Sequence, residues 1–305
     1  MSLALVRTAR IAGKTIGANG ETFQGGIEMR TSQRSGAVVS DSVGAITEPD
    51  GTFEFPNVPP GEYVVHAFKG QEAAFQFVSI NGADVTGLVM QTSVGPSIRG
   101  HVTFENATTP NRFGFVISPV LADPEMAPFF GAQRNVEIRD DWSFDAVNIS
   151  GPRLFRLARS PAGWALKAVR VNGADVTDTP TVFGSASDIE VVVTDQITEV
   201  SGSVSDARGL AVADYTAIVF ATDRRLWYDG SRFFSVSRPR EDGTFSIRGL
   251  PPGEYFVAAV DRIPGTEADG EWQDPELLES ITNRAQTITL TDGQKVAVTP
   301  RLIVR

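Results

Sequence analysis

The chain has 305 residues, a formal net charge of −10 and no cysteine, with 41% hydrophobic and 21% charged residues. This is the profile of a folded chain long enough for two or three domains. It excludes thiol catalysis, disulfides and cysteine-ligated zinc, and it argues against wrapping nucleic acid or adhering to an anionic membrane surface.

At the N-terminus, Leu3 to Val6 is an apolar stretch of four residues with basic residues after it, the reverse of a signal peptide. A leader, if the natural protein is exported, lies outside this sequence. No apolar run reaches the ~18–20 residues that span a bilayer. The first strand opens on Ile11-Ala12-Gly13, and the same apolar-x-Gly pattern returns at Ile98-Arg99-Gly100 and Val200-Ser201-Gly202. These starts cut the chain into three blocks of roughly 90–100 residues, the signature of a tandem array.

In the first block, Asp50-Gly51 precedes Thr52-Phe53-Glu54-Phe55, whose period of two marks a half-buried strand. Pro60-Gly61 suits a type II turn, with Gly at positive φ. Tyr63 to Phe68 is a nearly continuous apolar run and reads as a strand buried on both faces. Asn81-Gly82-Ala83-Asp84-Val85-Thr86 reads as a hairpin turn, fixed by hydrogen bonds from the Asp side chain.

The second block repeats that hexapeptide at Asn172–Thr177, 91 positions on. The same shift carries Phe53, Val58 and Tyr63 onto Phe144, Ile149 and Leu154, and a further shift of 101 reaches Phe245, Leu250 and Tyr255. All nine positions are apolar or aromatic. The second block departs at its turns: Trp142 stands where Gly51 and Gly243 stand, and Gly151-Pro152 inverts the Pro-Gly order. Since Trp rarely accepts positive φ and Pro cannot, both turns are expected to differ in geometry.

The third block restores the full pattern with Asp242-Gly243, Pro252-Gly253 and a buried run from Tyr255 to Val260. It adds one helix, Asp274 to Ile281, with a capping Asp and Pro at the first helical position. Short strands, frequent turn signals and units of ~100 residues predict an all-β fold: three tandem antiparallel Ig-like sandwiches, with one short helix near the C-terminus. The expected boundaries are 1–95, 96–197 and 198–305, with very short linkers and hence a semi-rigid array.

Asp50, Gly51, Phe53, Val58, Pro60, Gly61 and Tyr63, and again Asp242, Gly243, Phe245, Leu250, Pro252, Gly253 and Tyr255, carry a pattern that resembles the carboxypeptidase regulatory-like domains. Those are transthyretin-like β-sandwiches of about seven strands, found strung together in large bacterial proteins, many of them secreted. The resemblance implies an extracellular or periplasmic setting, no catalytic residues and a marker of strand–turn–strand geometry rather than of chemistry.

Candidate sites lie where the chain does not repeat. Trp142, Trp227 and Trp272, with Tyr228, fall in turns or loops, where exposed rings can stack on sugars. Asp261, Glu267, Asp269, Glu271 and Asp274 place five carboxylates in one stretch that could gather calcium, although no EF-hand spacing is present. Arg224 to Tyr228 mixes cations and aromatics, for which cation–π packing is the simpler account than nucleic acid. His66 and His101 sit in strands and read as packed histidines. The expectation is a non-enzymatic spacer, scaffold or protein-interaction segment, without a cofactor. A carbohydrate-binding accessory module is the alternative, and the partner is a protein or a polysaccharide.

Overall fold

Nearly every regular element is a β-strand in the computed structural model, which describes residues 7–32, 42–106, 110–126, 135–228, 230–261 and 274–304. The strands form three successive pairs of sheets. The first pair comprises β1 (Ala9–Ile16), β2 (Gly26–Thr31), β3 (Ser42–Ile46), β4 (Thr52–Val58), β5 (Gly61–Lys69), β6 (Glu72–Ile80), β7 (Val85–Gln91) and β8 (Ser93–Val94). One sheet runs β4-β1-β7 and the other β3-β2-β5-β6-β8.

The second pair comprises β9 (Ile98–Phe104), β10 (Val116–Leu121), β11 (Ser143–Ala146), β12 (Pro152–Arg159), β13 (Ala165–Val171), β14 (Ala174–Asp175), β15 (Thr181–Val182) and β16 (Asp188–Thr194), ordered β11-β9-β16-β13-β14 and β10-β12-β15. The third comprises β17 (Glu199–Ser205), β18 (Ala211–Val212), β19 (Thr216–Ala221), β20 (Phe234–Ser237), β21 (Thr244–Arg248), β22 (Gly253–Val260), α1 (Pro275–Thr282), β23 (Gln286–Leu290), β24 (Lys295–Val298) and β25 (Leu302–Ile303). Its sheets run β18-β17-β21, with β24 beside β17, and β20-β19-β22-β23, with β25 beside β22.

Residue contacts divide the chain into two compact units, one of residues 1–103, 111–159 and 168–192, the other of 104–110, 160–167 and 193–305. In the first unit, Ile11, Phe53, Phe55, Val58, Tyr63, Val65 and Ala67 belong to one buried cluster between β4-β1-β7 and β3-β2-β5. In the second, Val200, Phe245, Ile247, Leu250, Tyr255 and Val257 do the same. The alternation read from Thr52–Phe55 and Thr244–Ile247 thus points Phe to the core in both.

The apolar-x-Gly signal has a packing cause. The first strand of each pair lies between the strand that bears the Phe and the last long strand. A Cβ on Gly13 would lie 2.7 Å from Cζ of Phe53 and still closer to the carbonyl oxygen of Leu88 on β7. On Gly100 it would run into the Phe144 ring and lie 2.7 Å from the Ile189 oxygen on β16, and on Gly202 it would overlap the Val298 oxygen on β24. Only glycine lets the phenyl ring and the neighbouring backbone approach together.

The turns correct two expectations. Trp142 has φ +65°, in line with Gly51 at +85° and Gly243 at +74°, so the second block keeps the turn geometry of the others. The hydrogen bonds are also the same. The amides of Gly51, Trp142 and Gly243 donate to the carbonyls of Glu48, Arg139 and Arg240. Asp50, Asp141 and Asp242 each accept two bonds, from the amide and hydroxyl of Thr52, Ser143 and Thr244. A Trp is accepted there because its ring packs edge-on to buried Phe115, 6.0 Å between centroids.

The Pro-Gly turns are not type II with glycine at positive φ. Gly61 and Gly253 begin β5 and β22, and the left-handed residue is instead Asn57 (φ 58°), Asn148 (φ 59°) or Gly249 (φ 79°), three positions in the same 91 and 101 register; the second block still departs at its inverted pair, where Gly151 (φ 71°) is left-handed as well. The first NGADVT copy is likewise no hairpin, because it carries the chain from β6 in one sheet to β7 in the other. The second copy is a hairpin: Asn172 and Gly173 both have positive φ, and Val171 pairs with Ala174.

Candidate functional site

The repeated signature builds scaffold. Tyr63 and Tyr255 each return a hydroxyl bond four residues back, to the oxygens of Pro59 (2.9 Å) and Pro251 (2.6 Å). Their rings lie over Gly61 and Gly253, where a Cβ would come within 3.4 and 3.5 Å of Cε2. Leu154 has no hydroxyl, yet the equivalent oxygen, that of Ser150, accepts from Nε of Arg153 at 2.9 Å. Every block therefore satisfies one carbonyl that the strand–turn geometry would otherwise orphan.

The aromatic candidates are bound into the protein. In the first unit, Trp142 is half-buried against Phe115. In the second unit, Trp227 is half-buried, donates its indole N–H to the oxygen of Ala221 at 2.7 Å and meets Phe220 edge-on at 5.4 Å. The Arg224 guanidinium stands 6.0 Å over the Trp227 ring, the cation–π contact expected of that stretch. Tyr228 is half-buried beside it, and Trp272 lies outside the described residues.

Of the acidic stretch, Glu267, Asp269 and Glu271 lie outside the described residues. Asp274 is the N-cap of α1, accepting from the amide of Glu276 at 2.9 Å, and Asp261 follows β22. Among the described residues no three His or acidic side chains gather as for a metal. His101 lies 3.9 Å from the carboxylate of Asp188 with its side chain 45% exposed, so it is not a packed core residue.

The concentrated polar chemistry is elsewhere. On β2 and β5, Ile27 and Met29 with Tyr63, Val65 and Ala67 face the core. The opposite face carries Glu28 across from His66 and Arg30 across from Val64. Glu28 and His66 are each 1% exposed. The His66 ring lies 6.3 Å from that of Phe75 on β6. Burial, and next the charge of Arg30, lower the His66 pKa to about 4, while the backbone of Glu125 acts the other way. Glu125, in the turn Pro124–Met126, accepts from the Ser32 hydroxyl at 2.8 Å in a buried bond. The sequence shows no sign of this cluster beyond two charged residues, Glu28 and Arg30, and one histidine inside strands that otherwise read as apolar.

A second cluster lies in the other unit. Lys167 contacts Asp292 at 2.6 Å and Glu105 at 3.1 Å. Nearby, Arg232 donates to the oxygen of Leu166 at 3.0 Å. In the first unit a shallow groove of about 610 Å³ crosses the outer face of β4-β1-β7, floored by Ala12, Gly87 and Val89 and edged by Lys14 and Glu54.

No family model matches the sequence, and no curated protein matches it. Among solved structures, the chain aligns with the Bacillus anthracis TIE protein over 98% of its own length at 10% identity and TM-score 0.23, and it spans 50% of that protein. It aligns with a streptococcal ancillary pilin over 96% of this chain and 98% of that one, at 14% identity and TM-score 0.27. For BcpA, the major pilin subunit of Bacillus cereus, the shares are 96% and 98%, the identity 13% and the TM-score 0.25. The all-β, Ig-like class rests on the strand order described above.

Proposed function

We propose that the chain is a non-catalytic module of three transthyretin-like sandwiches, 1–95, 96–197 and 198–305, of the carboxypeptidase regulatory-like type that its signature resembles. It serves as a spacer, scaffold or protein-interaction segment of a larger exported bacterial protein. The observation that supports this most is the triplicate turn. Asp50, Asp141 and Asp242 each accept the amide and the hydroxyl of the residue two positions on, so these repeated carboxylates serve the turn.

The reading is tested by stretching single molecules. A spacer of three sandwiches unfolds in three steps, each releasing on the order of 30 nm of chain. A single step, or turnover of any substrate on a broad hydrolase panel, overturns it.

A further inference from the structure

Asn-Gly occurs three times, at Asn19-Gly20, Asn81-Gly82 and Asn172-Gly173, and all three asparagines are exposed. In this pair a side-chain amide meets the least hindered main-chain nitrogen, because glycine carries no Cβ. Two of the pairs open the same hexapeptide, NGADVT, so local sequence gives them the same reactivity. The fold treats them differently. Oδ1 of Asn172 accepts from the amide of Asp188 at 3.1 Å, and the Asn172 amide donates to the Asp188 oxygen at 3.0 Å. These bonds commit the Asn172 carboxamide to β16, inside the two-residue hairpin between β13 and β14. At Asn19 the nitrogen is committed instead, since the Gly20 amide donates to the oxygen of Gly17 at 2.9 Å. At Asn81 neither group is spent in this way. Oδ1 of Asn81 accepts from the Ala83 amide at 3.3 Å, and the ring closed by that bond contains both Cγ of Asn81 and the nitrogen of Gly82. The Gly82 amide makes no hydrogen bond among the described residues.

We propose that Asn81-Gly82 is a site of spontaneous main-chain modification in the folded protein, and that its twin Asn172-Gly173 is protected by its hairpin. Hydroxide takes the Gly82 amide proton, and the nitrogen forms a bond to Cγ of Asn81. The Cγ–Nδ2 bond breaks, and Nδ2 leaves as ammonia with a proton from water. The product is a five-membered succinimide. Water then opens it at Cγ to give aspartate, or at the main-chain carbonyl carbon to give isoaspartate. Over both steps one water is consumed and one ammonia is released. Either product adds a carboxylate close to Asp84, and isoaspartate also adds a methylene to the main chain between β6 and Asp84. Asp84 accepts the Arg10 amide at 2.9 Å, next to the Ile11–Val85 step that starts the parallel β1–β7 ladder. The modification therefore loosens the anchor of β1.

The intact protein is aged at mildly alkaline pH and mapped by peptide mass spectrometry, beside a second sample aged in denaturing urea. Both hexapeptides sit in one chain, so each is the other's control. In the folded protein Asn81 is expected to convert on the order of tenfold faster than Asn172, because the two bonds to Asp188 must break first. In urea the two rates converge. The Arg10 amide exchanges its hydrogen faster in the aged folded protein than in the fresh one. Equal rates at Asn81 and Asn172 in the folded state, faster conversion at Asn19 or Asn172, or a difference that persists in urea overturns the proposal. An Arg10 amide that exchanges alike before and after Asn81 has converted overturns the loosening of β1.

Discussion

Trp142 adopts the left-handed backbone of Gly51, φ +65° against +85°, with the same flanking hydrogen bonds. For a residue with a Cβ this conformation is unfavourable by about 1–2 kcal/mol. The edge-on contact with Phe115 offsets part of that. Two substitutions separate the effects, because both remove the ring and only one keeps the Cβ. Trp142→Ala is therefore expected to be less stable than Trp142→Gly by about 1 kcal/mol, read by denaturant unfolding. Equal stability of the two variants would falsify the strain.

Gly100→Ala tests the packing of the first strand. The added methyl meets the Phe144 ring and the Ile189 carbonyl, and the latter is backbone that cannot swing aside. A loss of about 3 kcal/mol or failure to fold is expected. Ala at Gly184, where nothing lies within 4 Å and φ is not positive, controls for the general effect of adding a methyl group to a glycine.

Tyr255→Phe removes only the hydroxyl that reaches Pro251 and leaves a buried carbonyl without its donor. A loss of about 1–2 kcal/mol is expected. Tyr63→Phe acts on the matching bond to Pro59. In the second block Arg153→Met is the counterpart, since Arg153 carries the bond to Ser150 there. An Arg153→Met variant as stable as the parent would mean that the guanidinium does not replace the phenol.

The turn carboxylates set an acid limit. Bonds from the side chains and amides of Thr52, Ser143 and Thr244 lower the pKa of Asp50, Asp141 and Asp242. Their folded values lie below the unfolded one. Their contribution is therefore present above about pH 4 and is lost as pH falls further. Asn at all three positions should flatten the stability profile below pH 4. A profile unchanged below pH 4 would count against the turn bonds.

Lys167→Met leaves Glu105 and Asp292 without their shared cation. The pair is partly solvated, so global stability should fall by less than about 1 kcal/mol. Local opening is the sensitive readout: exchange at Thr291–Gln294 should speed up. Unchanged exchange there would show that the ion pairs hold nothing.

Some of the molecule is legible without coordinates. The all-β class, the placement of Phe53 and Phe245, the two central buried strands and the cap of α1 follow from local rules, a period of two, continuous apolar runs and an Asp-Pro start. Where the expectations failed, the cause lay outside the local stretch. A Trp at positive φ looks forbidden until Phe115, distant in sequence, is found beside it. Gly61 and Gly253 looked like turn residues at positive φ, but they open β5 and β22, and the left-handed residue sits four positions earlier.

By itself the sequence determined the repeat register and the residues that fill each core, because hydrophobic periodicity and turn chemistry act between near neighbours. Only the tertiary structure decided which apolar-looking strands carry a buried acid and a buried imidazole, and which oxygen Arg153 or Tyr255 satisfies. Those outcomes depend on burial and on partners tens of residues away, such as Ser32 and Glu125. Desolvation and hydrogen-bond geometry are properties of the packed chain, not of any one stretch of it.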